Sequence, residues 1–324
     1  MRTTVAIPLH RSQEWLDVVE RNVRALAGVA RVVVSDATEA DDALVHLRAR
    51  LADVEAVRYL GARQMPAGWV AHCNDLQARS DTDYFMWLPH DDEIDADWVT
   101  EAEAALDATP RAVLACGPIT RVDSAVTTPG RPQIEPYRGF ASDDDFTRRA
   151  DLVSVLTMGD PASLGVLFRG VQRAALAVPL PQVKDEIFAD VAWAVRMVNL
   201  GPIAVLASPY RKRWYDGSAH SQWPAFTHSE GVRSHWVGWA VDGLNPADAI
   251  SLITQAWESE HRHRRETEDA WAARLESARL EEERLKDHFE SSTSWRVTAP
   301  LRAWSRWRGA VRPSTPGGDS SESE

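Results

Sequence analysis

Adjacent acids at the end of an apolar run are the strongest chemical signal in this chain. The run 84–88 has the composition of a buried strand, and His90, Asp91, Asp92 and Glu93 follow it directly. Carboxylate oxygens are the ligands that Mg²⁺ and Mn²⁺ prefer, so the acids are suited to hold a cation and, through it, a phosphate-bearing substrate. Turns and helix caps also use Asp, and the acids alone therefore leave both interpretations open.

Other polar residues are expected at the same edge of the fold. Asp36 ends a second apolar run, where its carboxylate could accept hydrogen bonds from a ribose or a base. Asn74 lies on the helix that leads into the strand before the acids, and Asp190 opens an apolar helix late in the chain. Because ligands of α/β sheets bind at the carboxyl ends of the strands, these side chains are expected to meet there.

The elements that must position these residues are those of an α/β fold. Short β-rich runs alternate with helical stretches over residues 3–117, which is typical of a mostly parallel sheet flanked by helices. The predicted strands there are 3–9, 31–35, 57–60, 84–88 and 112–116. Further along, the sequence predicts a loop at 118–145, a helix at 144–158, a strand at 165–168, a helix at 184–200, a strand at 203–207 and a loop at 210–223.

Several segments, taken in order, carry a family resemblance. They are Val5-Ala-Ile-Pro8, Ser35-Asp36-Ala-Thr38, Gly68 with Asn74, His90-Asp91-Asp92, Phe188-Ala-Asp190 with Trp193, Arg196 and Gly201, and Tyr210-Arg-Lys-Arg213 with Ser218 and His220. This ordered set resembles the family 2 glycosyltransferases of the GT-A fold over about residues 3–222. The resemblance implies an enzyme that transfers a hexosyl or deoxyhexosyl group in bacterial cell-envelope polysaccharide biosynthesis.

The resemblance also implies roles for individual residues. Asp190 matches the general base that deprotonates an acceptor hydroxyl, which gives inversion at the sugar carbon. A divalent cation, Mg²⁺ or Mn²⁺, would be held by Asp92 as the direct ligand, with Asp91 and His220 beside it, and would assist the departing diphosphate. The residues expected to bind the nucleotide-sugar donor are Pro8, Leu9, His10, Asp36, Asn74, Asp91, Arg211 and Arg213.

The chain departs from the family pattern at a few positions. His10-Arg11, Cys73 and Ala189 stand where family members often have Tyr-Asn, Arg and Glu. The nucleoside and the base are therefore open at this stage, and Asp185 or Glu186 is the next candidate base after Asp190. Asn74 could instead only bond the backbone of a neighbouring loop, and His72 and Trp87 are expected to be packing residues.

A helical extension and a basic tail follow the expected catalytic domain, which spans residues 1–225. Residues 226–290 are expected to form the helical extension, and residues 246–290 within it carry apolar residues at near-heptad spacing. This spacing is compatible with a coiled coil and with a homo-oligomer formed through the long helix. Residues 291–312 combine Trp and Arg, and 295–312 could dock on an anionic membrane or pack against protein. Residues 313–324 have the composition of a disordered tail.

Composition limits the alternatives. The chain has 324 residues, 44% hydrophobic residues and a formal net charge of −12, which argues against nonspecific nucleic-acid binding. The N-terminus lacks the long apolar stretch of a signal peptide, and Cys73 and Cys116 have no metal-type spacing. The protein is therefore expected in the cytoplasm, free or peripheral on the inner face of the plasma membrane.

The sequence thus favours an inverting, metal-dependent glycosyltransferase that acts on a hydroxyl of a glycan or lipid-linked acceptor. The alternative is a noncatalytic GT-A-like scaffold of a glycan-assembly complex. A nucleotidyltransferase or dinucleotide-binding oxidoreductase is disfavoured, because these enzymes need a Gly-rich phosphate loop after the first strand and residues 8–13 contain no glycine.

Overall fold

The computed structural model describes residues 1–10, 12–37, 42–55, 57–66, 68–123, 138–157, 161–182, 188–214 and 230–291. The chain consists of two compact units, Met1–Glu260 and His261–Glu324. The second unit is described as far as Ser291 and is helical there.

A seven-stranded sheet organises the first unit. In chain order its strands are β1 (Thr3–Leu9), β2 (Arg31–Asp36), β3 (Val57–Leu60), β4 (Tyr84–Trp87), β5 (Leu114–Cys116), β7 (Val171–Arg173) and β8 (Ile203–Val205). Their order across the sheet is β3-β2-β1-β4-β7-β5-β8, and β7 alone among them runs antiparallel to its neighbours. The register pairs Leu9 with Asp36, so the ends of β1 and β2 are level at the edge where ligands bind in such sheets.

Two remaining strands form a small second sheet. These are β6 (Ile119–Asp123) and β9 (Tyr210–Trp214), which pair in parallel. The predictions of loops at 118–145 and 210–223 are therefore wrong over these strands. Each strand is short and polar, and neither carries a local apolar pattern strong enough to reveal a partner about 90 residues away.

Helices connect the strands and continue the described chain beyond the last strand. They are α1 (Leu16–Leu26), α2 (Ala43–Arg50), α3 (Trp69–Ala78), α4 (Ala96–Ala108), α5 (Asp145–Thr157), α6 (Ala189–Leu200), α7 (Glu230–Val241) and α8 (Pro246–Ser291). The predicted strand at 165–168 is wrong, because Pro161–Arg169 forms a 3₁₀ helix and the strand follows it at β7.

An aromatic cluster fixes the position of this 3₁₀ helix against the sheet. The Trp87 ring on β4 stacks on Phe168, with 5.0 Å between centroids and 12° between planes. Trp193 on α6 meets the Trp87 ring edge-on at 5.4 Å, an arrangement that aromatic pairs prefer. Trp87 is therefore a packing residue, as predicted. The cluster also places Arg169, which follows Phe168, close to the loop 88–93 that carries Asp91 and Asp92 (the acid loop).

The C-terminal part of the described chain is helical. α8 contains 46 residues, and Trp257 and Trp271 on it are each 60% exposed. The coiled coil and the boundaries near residues 225 and 290 stay predictions, and the segments 295–312 and 313–324 lie outside the described residues. In the described part of the chain, no helix has both the length and the apolarity that a bilayer crossing requires.

Candidate functional site

The Asp92 carboxylate is the most heavily bonded group in the predicted site. It is fully buried, and its Oδ2 accepts hydrogen bonds from Arg169 Nε at 2.8 Å and from the Tyr210 hydroxyl at 3.2 Å. Its Oδ1 accepts a third bond from the backbone N–H of Arg213 at 3.0 Å. Asp92 therefore joins the acid loop to the 3₁₀ helix and to β9.

Backbone contacts hold the same loop from two further directions. Asn22 on α1 donates from Nδ2 to the carbonyl oxygen of Asp92 at 2.8 Å, and its Oδ1 accepts from the N–H of Ile94 at 3.2 Å. Glu93 and Arg211 exchange backbone hydrogen bonds of 2.9 and 3.3 Å. The loop after β4 is thus a fixed element, with its polar backbone groups satisfied by residues distant in sequence.

Asp91 differs from Asp92 in its surroundings. It is only half-buried, and no other described residue donates a hydrogen bond to its side chain. Burial, together with the negative charge of Asp92, raises the pKa of the Asp91 carboxyl above its usual range. A cation would relieve this repulsion, and Asp91 is the acid of the pair whose oxygens are available for one.

Asp190 lies in the first turn of α6, beside the 3₁₀ helix. Its Oδ1 accepts a hydrogen bond from the N–H of Val191 at 2.8 Å, and a Cβ on Gly165 would lie only 2.9 Å from its Oδ2. Burial raises the pKa of Asp190, and the positive charges of Arg169 and Lys212 oppose that rise. Because Gly165 has no side chain, the Asp190 carboxylate can occupy this position.

Two cations lie among these acids. Arg169 is 9% exposed. Burial lowers the pKa of its guanidinium, but the charge of Asp92 and its hydrogen bond, together with Tyr210 and Asp190, outweigh burial and raise the pKa overall. The pKa of Lys212 is lowered to about 8, because burial and the charge of Arg169 outweigh the opposite effect of Asp92, Asp190 and Asp91. Both cations are thus within electrostatic reach of all three carboxylates.

The arginines on either side of Lys212 make different contacts. Arg211 donates two hydrogen bonds of 2.9 Å to Asp95, and Arg213 donates from Nη2 to Glu93 at 2.5 Å while its guanidinium lies 5.6 Å from the centre of the Trp15 ring. Side chains alternate along a strand, so Arg211 and Arg213 share one face of β9 and Lys212 lies on the other. Their predicted donor role is untested.

The residues predicted to bind the nucleoside lie at the ends of β1 and β2. Asp36 is 2% exposed and Leu9 is 1% exposed. His10 is exposed, and its backbone N–H donates to Ser12 Oγ at 2.9 Å. The carbonyl oxygen of Pro8 lies 3.4 Å from His90 Nδ1. These residues form one edge, as the register of the strands requires.

Asn74 has the local role that the sequence left open. Its Nδ2 donates to the carbonyl oxygen of Leu180 at 2.9 Å, and its Oδ1 accepts from the N–H of Leu180 at 2.7 Å. Asn74 thus holds the backbone of the segment that precedes α6. Buried His72 bonds Ser35, and burial lowers its pKa to about 4, in agreement with a packing role.

Some predicted residues cannot be placed. His220 and the alternative bases Asp185 and Glu186 lie outside the described residues. Within the described ranges, no group of three or more His, Cys, Asp or Glu side chains is arranged to hold a metal ion. A cation here would therefore depend on Asp91 and on oxygens from a substrate or water.

Sequence reasoning did not select Arg169, Tyr210 or Lys212 as site residues. Lys212 and Tyr210 could have been found if residues 210–214 had been recognised as a strand. Side chains alternate along a strand, which places these two on the face opposite Arg211 and Arg213. No local signal identifies Arg169, because its proximity to Asp92 depends on the packing of the 3₁₀ helix under β4.

Comparisons with known proteins support the architecture. No protein-family model and no curated protein sequence matches the chain. Among solved structures, S. aureus TarS 1-349 in complex with UDP-GlcNAc is similar, with a TM-score of 0.56 and 14% identity, over 79% of this chain and 72% of that one. The mannosyltransferase PcManGT from Pyrobaculum calidifontis, in complex with GDP-Man and Mn²⁺, is similar with a TM-score of 0.50 and 12% identity, over 95% and 86%.

At these identities the likeness concerns the fold. The chain has a GT-A-type glycosyltransferase fold, with a mostly parallel sheet flanked by helices. The predicted fold class is therefore confirmed.

Removal of the Asp92 carboxylate should destabilise the protein even without metal. Asp92→Ala leaves the Arg169 guanidinium buried without its counter-charge, which should lower the free energy of unfolding by about 3–5 kcal/mol. The control Asp81→Ala breaks an exposed ion pair with Arg31 and should cost about 1 kcal/mol or less. Urea unfolding in EDTA measures both. Equal losses in the two variants would contradict a structural role for the Asp92–Arg169 pair.

Proposed function

We propose that this chain is a glycosyltransferase that moves a sugar from a nucleotide-sugar donor to a hydroxyl of a glycan or lipid-linked acceptor. The observation that carries the proposal is the position of Asp91 and Asp190, since both carboxyls interact electrostatically with Arg169 and with Lys212. The GT-A fold supports it, as do the two similar structures, which contain UDP-GlcNAc and GDP-Man.

Asp190 is our candidate for the general base. Its carboxylate would take the proton of the acceptor hydroxyl while the acceptor oxygen forms a bond to the sugar carbon. The bond from that carbon to the diphosphate oxygen breaks, and the nucleoside diphosphate leaves with the electron pair. Because attack and departure occur on opposite sides, the configuration at the sugar carbon is inverted. A raised pKa brings a carboxyl closer to the working pH, where a general base is most effective.

The described residues could hold a divalent cation only together with oxygens from the substrate or from water. Mg²⁺ and Mn²⁺ are commonly held by one or two carboxylates together with substrate phosphates, without a full protein cage. We assign the direct contact to Asp91 rather than to Asp92, because both Asp92 oxygens already accept hydrogen bonds. When bound, the cation would neutralise charge on the leaving diphosphate. His220 stays a predicted additional ligand.

The remaining assignments follow the geometry of the sheet edge. Asp36, with the backbone of Pro8, Leu9 and His10, is proposed to contact the nucleoside. Asn74 would support the donor site through Leu180. We further propose that α8 pairs with a second copy of the chain and that residues 295–312 contact an anionic membrane from the cytoplasmic side.

The base assignment predicts a selective loss of activity. After a thermal-shift screen of nucleotide sugars with Mn²⁺, release of nucleoside diphosphate from the best donor should fall by about 10²–10⁴-fold in Asp190→Asn. Donor affinity should be retained, because Asp190 acts on the acceptor or on water. The control Asp97→Asn, at an exposed acid of α4, should behave as wild type.

The pH profile separates this role from a structural one. Because Asp190 must be deprotonated to act and burial raises its pKa, kcat/KM should fall on the acidic side at a pH above the ordinary carboxyl range. If Asp190→Asn retains full activity, Asp190 is not the base. If no nucleotide sugar binds or is cleaved, the scaffold alternative is favoured.

A single methyl group should test the placement of the base. In Gly165→Ala the new Cβ would press on Asp190 Oδ2, which can move because it ends a side chain. We therefore expect a loss of kcat of at least about tenfold with a change in unfolding free energy below about 1 kcal/mol. The control Gly238→Ala places a Cβ where no atom lies within 4 Å and should leave kcat unchanged. Unaltered kcat in Gly165→Ala would contradict the assigned position.

A further inference from the structure

Arg169 and Lys212 are cations at the centre of the site to which the reaction above gives no task. We infer that they form the protein's part of a diphosphate subsite, in which both cations contact the pyrophosphate group directly, beside a bound divalent cation. The inference rests on the proposed function, since the natural source of that group would be the nucleotide-sugar donor. It assigns diphosphate binding to Lys212 and Arg169 instead of the flanking Arg211 and Arg213.

Arg169 is fixed with one end of its guanidinium uncommitted. Its Nε donates to Asp92 at 2.8 Å, and its Nη1 donates to the carbonyl oxygen of Gly165 at 2.8 Å. Its Nη2 makes no hydrogen bond to another described residue. A guanidinium held in place by two bonds loses little freedom when its remaining N–H groups bind a phosphate oxygen. Arg169 is 91% buried, so such a bond would form in a partly desolvated site.

Lys212 contributes from β9 on the same side of the site. It shares its strand face with Tyr210, whose hydroxyl bonds Asp92, and it interacts electrostatically with Asp91, Asp92 and Asp190. An ammonium group binds phosphate as a compact point charge and needs no fixed orientation. Lys212 and Arg169 can therefore act on one diphosphate from two elements.

The charges of the described site require such groups. Three carboxylates, those of Asp91, Asp92 and Asp190, would repel a diphosphate strongly at short range. One divalent cation alone would leave these carboxylates incompletely balanced before the diphosphate added further negative charge. With Arg169 and Lys212 counted as well, the protein and one divalent cation carry a net positive charge that favours the anion.

The flanking arginines are already committed to carboxylates. Arg211 is bonded twice to Asp95, and Arg213 is paired with Glu93. Both would have to leave these partners to reach a phosphate. Lys212 lies on the opposite face of the strand, the face of Tyr210, whose hydroxyl bonds Asp92.

Calorimetric titration of the full chain with inorganic pyrophosphate in the presence of Mg²⁺ tests the subsite. Wild type should bind pyrophosphate at millimolar concentrations or below. Lys212→Gln should weaken binding by about tenfold or more, the usual effect of losing one charged hydrogen bond, and Lys212→Arg should retain most of the affinity. Arg169→Lys, which keeps the counter-charge of Asp92, should weaken binding severalfold with the fold retained, as judged by thermal unfolding.

Arg211→Gln provides the matched comparison, because it removes a cation of the same strand from the opposite face. It should change the affinity by less than about threefold, as expected for an exposed, ion-paired charge. Absence of pyrophosphate binding with Mg²⁺, unaltered binding in Lys212→Gln, or a larger loss in Arg211→Gln would each overturn the inference.

The same variants separate this inference from the proposed function. Pyrophosphate binding through Lys212 without cleavage of any nucleotide sugar would support the subsite and contradict the glycosyltransferase. Cleavage of a nucleotide sugar with pyrophosphate binding that is independent of Lys212 would support the enzyme and overturn the subsite.

Discussion

The buried ion pair between Asp92 and Arg169 is the constraint on which the rest of the site depends. Its two side chains are 1% and 11% exposed, and their atoms lie 2.8 Å apart. Charges removed from water in this way are tolerated only when each is paired and its remaining hydrogen-bonding capacity is used. Tyr210 and the backbone of Arg213 complete the Asp92 carboxylate, so three segments of the chain must meet at one residue.

Because of this ion pair, the adjacent residues Asp91 and Asp92 have different surroundings. Both oxygens of Asp92 accept hydrogen bonds from within the protein. Asp91 is half-buried, and no other described residue donates a hydrogen bond to its side chain. A similar difference is found on β9, where Arg211 and Arg213 bind Asp95 and Glu93 and Lys212 lies on the opposite face of the strand. Neighbouring residues of the same type thus have separate tasks, set by the face or the direction in which each one lies.

Local sequence patterns predicted the part of the fold that local patterns control. Strands β1, β2 and β4 are apolar runs inside the sheet, and Asp36, Asp91 and Asp190 follow such strands or open an apolar helix, so a shared edge could be inferred. The pairing of Ile119–Asp123 with Tyr210–Trp214 could not be inferred, because it depends on contacts between distant polar segments. Arg169 was missed for the same reason, since the packing of Phe168 on Trp87 and Trp193 brings it to Asp92.

The most direct test of this account is the position of a metal ion relative to the two acids. An anomalous difference map from crystals grown with Mn²⁺ and pyrophosphate would locate the ion unambiguously. The account predicts coordination by Asp91, with Asp92 still bonded to Arg169 and the pyrophosphate in contact with Lys212. A manganese ion coordinated by Asp92, with Arg169 displaced from that carboxylate, would contradict it.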